Sequence, residues 1–62
     1  MRLYKLTSYY YDNGKTAAHI EIMETDEVQE PTYESTEYYD RYVDYYATKT
    51  AAMKQLDNVL NA

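Results

Sequence analysis

The chain has 62 residues, with eleven acids against six bases, ten tyrosines, and no phenylalanine, tryptophan or cysteine. A chain this short holds one small domain of marginal stability, because it buries only about 60% of the surface its unfolded form exposes. Composition excludes disulfides and Cys/His metal cages, and length excludes barrels and doubly wound sheets. A net charge of −5 with a pI near 4.5 disfavours direct binding to nucleic acid or to an anionic membrane surface.

Residues 1–20 show no apolar targeting segment, and no aliphatic run approaches the roughly 20 residues that span a bilayer. A soluble cytoplasmic protein is the expectation. Residues 2–24 read as a β-hairpin. The first arm, 2–11, is rich in tyrosine, leucine and threonine, which suit a half-buried pleated surface. The second, 16–24, alternates Ala18, Ile20 and Ile22 with His19, Glu21 and Met23. Between them Asn13-Gly14 is a strong hairpin signal. A two-residue turn would set Leu6 against Glu21 and Lys5 against Ile22. A three-residue loop with Gly14 left-handed sets Leu6 against Ile20, Tyr4 against Ile22, Lys5 against Glu21 and Arg2 against Glu24. Matched cross-strand pairs contribute roughly 0.2–1 kcal/mol each, so the second register is preferred.

Residues 25–33 are polar and acidic, and Pro31 forbids a central strand there. This stretch is expected to be a connector. Residues 34–60 are then expected to form one long helix, capped by Thr32, Ser35 or Thr36, with acids in its first half and Lys49 and Lys54 in its second. At helical spacing Tyr38, Tyr42, Tyr45, Tyr46, Ala52, Met53, Leu56 and Leu60 share one stripe. With its flanks that stripe covers an arc of about 200°, against the roughly 100° usual for a surface helix. The expected fold is therefore α+β: a small ββα unit, a two-stranded antiparallel hairpin packed on one long C-terminal helix, forming a single domain over 1–62. Its expected core is Leu6, Ile20, Ile22, Tyr42, Met53 and Leu56.

Catalysis is not expected. His19 is the sole imidazole and has no cysteine to activate, and the single glycine is used in the turn. The acidic stretch 24–27 lacks the spacing and glycine of a calcium loop. No catalytic residue, metal ligand or cofactor is assigned.

What remains is surface. Nine of the eleven acids lie between residues 21 and 46, where Arg41 is the only base. On a helix, Glu34, Glu37, Asp40 and Asp44 would lie along about 15 Å of axis. That charge density is close to that of one DNA strand, whose phosphates follow at about 3.4 Å. Tyr38 and Tyr39 stand beside them, and tyrosine is enriched at interfaces. These six residues are the candidate protein-binding site, and a protein with a basic groove is the expected partner. The same acids would also stabilise a helix N-terminus without any partner. The short, acidic, cysteine-free, tyrosine-rich style is similar to that of phage and mobile-element accessory proteins, which implies an inhibitor and a possible DNA mimic. The alternative is a structural protein whose helix stripe forms a homodimer core.

Overall fold

The computed structural model describes residues 1–61; Ala62, the last residue of the expected domain, lies outside them. Five elements follow in chain order: β1 (Arg2–Tyr11), β2 (Thr16–Glu24), β3 (Thr32–Ser35), β4 (Tyr39–Tyr46) and α1 (Lys49–Leu60). The strands form one antiparallel sheet in the order β2-β1-β4-β3, and α1 lies on it, mainly over β2 and β1. The α+β class stands. The two-stranded hairpin is replaced by four strands, and the expected helix over 34–60 is replaced by a second hairpin and a helix of 12 residues.

The first hairpin has the three-residue register. Leu6 pairs with Ile20, Tyr4 with Ile22, Lys5 with Glu21 and Arg2 with Glu24. Gly14 has φ +85°, and its N–H donates to the Tyr11 carbonyl at 3.0 Å, while the Tyr11 N–H donates to Lys15 at 2.9 Å. This is a turn followed by a left-handed residue, the geometry that a three-residue hairpin loop needs. The connector holds no strand until Thr32, and its start is tied to the N-terminus by a Thr25 N–H to Met1 carbonyl bond.

Residues 32–35 and 39–46 are strands because tyrosine, threonine and valine fit a pleated surface better than a helix. Thr36 closes their turn without glycine, proline, asparagine or aspartate. Its hydroxyl accepts from the Tyr38 and Tyr39 N–H groups, both at 3.2 Å, and its own N–H donates to the Tyr39 carbonyl at 2.8 Å. The helix begins only after Thr48, whose extended backbone (φ −125°, ψ 148°) and hydroxyl, accepting from the Ala51 N–H at 3.2 Å, form its N-cap.

Strand parity divides the sheet into two faces. One carries Leu6, Ser8, Tyr10, Ala18, Ile20, Asp40, Tyr42 and Asp44, and α1 covers part of it. Leu6, Ala52 and Val59 are the sealed centre of this layer, at 0%, 0% and 1% exposure. The helix contributes Ala52, Leu56 and Val59, spaced for one face. Of the expected core, Leu6 is buried and Ile20 and Leu56 are half-buried, but Ile22, Tyr42 and Met53 are exposed. A helix of 12 residues is too short to reach along the whole sheet, so Ile22 lies beyond its cover.

The other face has no second layer among the described residues. Leu3, Thr7 and Val43 are nonetheless buried there, since β1 and β4 are flanked on both sides. Tyr9, Tyr11 and Tyr39 interlock on this face, with centroids 5.4–6.0 Å apart.

Candidate functional site

The short helix leaves the β4 side of its own sheet face open. A groove of about 500 Å³ runs there between sheet and helix. Its floor comes from two paired strands: Ser8 lies opposite Tyr42, Tyr10 opposite Asp40, and Asp44 opposite the buried Leu6. Gln55 and Val59 of α1 form the wall. Such a volume is within the range of small-ligand sites.

Aromatic rings cluster over the floor. Tyr10 and Tyr42 have centroids 5.6 Å apart at 89°, and Tyr33 of β3 reaches Tyr42 at 4.8 Å. The Tyr33 and Ser35 hydroxyls both donate to Asp40 Oδ1, at 3.2 and 2.8 Å, which orients that carboxylate. Loss of solvent raises the Tyr42 phenol above its usual value, helped by the neighbouring Tyr33, Asp40 and Tyr10. Burial raises Tyr46 in the same way, with Asp44 adding to it. Both phenols therefore stay protonated at neutral pH.

Charge is partitioned around this groove. Arg2 pairs with Glu24 at 2.8 Å, Arg41 pairs with Glu34, and His19 stands 3.3 Å from Glu21. Among the described residues no base lies within ion-pair distance of Asp40 or Asp44, and no base lines the groove.

The six expected binding residues do not form one row. Asp40 and Asp44 share the groove face. Glu34 belongs to the opposite face, beside its cross-strand partner Arg41, and Tyr39 joins the aromatic cluster there. Glu37 and Tyr38 sit at the exposed turn of the second hairpin. Four carboxylates spaced along one helical axis are thus replaced by two in a groove, one neutralised and one at a loop. Sequence reasoning missed Ser8, Tyr10, Tyr33, Tyr42 and Gln55 as site residues, Tyr42 having been expected only in the core. The signal available was the strand parity of Ser8 and Tyr10, which shares a face with Ile20, but their alignment with β4 required knowing that β4 exists.

Among the described residues no group of three or more His, Asp or Glu side chains is placed to hold a metal ion, and no helix is long and apolar enough to cross a membrane. No protein-family model matches the chain, and no curated protein or solved structure shows significant similarity to it.

Proposed function

We propose that this chain is a non-catalytic, acidic protein-binding module, a small inhibitor or modulator of a larger protein with a basic surface of the kind that handles nucleic acid. The observation that carries the reading is the groove between β4 and α1: two carboxylates without a base beside them, set among tyrosine rings, on a chain of net charge −5. Carboxylates steer encounter with a basic partner, and salt weakens that steering beyond about 10 Å at 0.1 M. The rings supply desolvated contact that salt does not remove. Glu37 and Tyr38 stand exposed at the turn that precedes β4 and add charge and aromatic surface there.

The test uses a partner captured from the source cells and identified by mass spectrometry. With that partner, Glu37→Lys combined with Asp44→Lys slows association at low salt and flattens its salt dependence, while circular dichroism stays native. Equal association rate and affinity at low salt would overturn the reading.

A second reading, self-association, is favoured by the Tyr9, Tyr11 and Tyr39 cluster on the face that lacks a second layer. A tight, salt-insensitive dimer in sedimentation, abolished by Tyr39→Ala, would support it. The helix stripe first expected to form the dimer does not exist, since Tyr38, Tyr42, Tyr45 and Tyr46 lie outside α1.

A further inference from the structure

We infer that the groove between β4 and α1 receives an arginine side chain of the protein partner, its guanidinium held by Asp44 beside the Tyr42 ring, with Asp40 adding negative charge farther along the strand. The inference rests on the protein-binding reading and names the chemistry that the site selects. Three features converge on it.

The first is charge complementarity. Asp44 makes no side-chain hydrogen bond among the described residues. Asp40 uses Oδ1 for Tyr33 and Ser35, and no such bond engages Oδ2. Both acceptors face a groove without a base. The second is Ser8. It is 2% exposed and lines the floor, yet none of the side-chain hydrogen bonds found among the described residues uses its hydroxyl. Ser8 stands on the groove side of the sheet, directly opposite Tyr42 in the β1–β4 pair. A hydroxyl at the floor can accept a hydrogen bond from a donor that enters the groove.

The third is ring geometry. Tyr10 meets Tyr42 at 89° and Tyr33 packs against it at 4.8 Å, so Tyr42 stands at the centre of three rings on the groove side of the sheet. Cations are attracted to aromatic rings within about 6 Å of the centroid. Tyr42 is 39% exposed, so its ring is open to a ligand. Several acceptors around one aromatic plane suit a planar group with five donors better than a compact ammonium, which presents three donors on a point charge. The volume of about 500 Å³ also admits the residues on either side of the arginine.

The experiment is a titration of the ¹⁵N-labelled protein with the blocked tripeptide acetyl-Gly-Arg-Gly-amide, and with its lysine and citrulline counterparts. The arginine peptide is expected to shift the amides of Ser8, Tyr10, Tyr42, Asp44 and Gln55 in a saturable way. Citrulline has the same shape without the charge, and is expected to bind at least about tenfold more weakly, as is the arginine peptide to Asp44→Asn, in line with loss of one charged hydrogen bond. Lysine falls between. Gln55→Lys, on the helix wall, places an ammonium at the groove and removes binding without touching the floor. This second variant keeps the test decisive if Asp44→Asn unfolds.

Equal binding of the citrulline peptide would overturn the inference, as would shifts centred on Tyr9, Tyr11 and Tyr39, or no saturable shift at tens of millimolar peptide. If the groove is silent while charge reversal at Glu37 and Asp44 still slows a captured partner, the arginine receptor is wrong and the binding module stands. If the groove takes the peptide but charge reversal leaves that partner unaffected, the module reading fails and the arginine site remains.

Discussion

Gly14 shows how one residue can set a register. Its φ of +85° lies where a Cβ is penalised, and an added Cβ there would meet no atom within 4 Å. The cost of Gly14→Ala is therefore conformational, about 1–2 kcal/mol, and a urea midpoint shift with unchanged slope would measure it. Leu6 and Ile22 give the matching comparison in the packed layer. Leu6 is fully buried, so Leu6→Ala is expected to cost about 2–5 kcal/mol. Ile22, on the same face and 63% exposed, is expected to cost less than about 1 kcal/mol when changed to alanine. Equal losses in urea unfolding would mean that the helix covers a different part of the face.

At the scale of elements, two threonines divide what reads as one helix. Thr36 satisfies the turn between β3 and β4 with its hydroxyl, and Thr48 caps α1. Thr48→Ala is expected to cost about 1 kcal/mol and to fray α1, seen as reduced helical circular dichroism. Thr36→Ala acts on the second hairpin instead and leaves the helical signal intact until global unfolding. The segment 34–46 is hard to read because tyrosine lies on both sheet faces. Tyr39 and Tyr45 point one way, Tyr42 and Tyr46 the other, so no alternation of polar and apolar residues marks the strand. The excessive width of the apolar helical arc was the visible sign that a period of 3.6 does not fit these residues.

Across the whole molecule, the phenols make stability fall in alkali. Tyr42 and Tyr46 hold their protons to higher pH in the folded chain, chiefly because they lose solvent, than the ordinary value of 10.0. Between the unfolded and folded values the native state binds more protons, so unfolding free energy decreases as pH rises. The urea midpoint should not change through these two groups below about pH 9 and should drop above about pH 10. The drop is expected to be smaller in the Tyr42→Phe, Tyr46→Phe double variant. An identical alkaline profile in that variant would show that other groups carry the loss.

Local chemistry by itself determined the first hairpin, its register and its loop. Asn13-Gly14 and the matched pairs flanking it act over short sequence distances, where few alternatives compete. It also located the excess of acids between residues 21 and 46, since charge is additive along a chain. The tertiary structure alone decided that β4 pairs with β1 rather than extending α1. That choice lets Tyr39, Tyr45 and Tyr46 bury part of their rings on a four-stranded sheet, a gain invisible to any window shorter than the stretch of chain between the two strands, which includes β2 and β3. The same pairing brought Ser8 and Tyr10 of β1 beside Tyr42, Asp40 and Asp44 of β4, residues thirty or more positions apart. The groove exists because the sheet is wider than one short helix can cover.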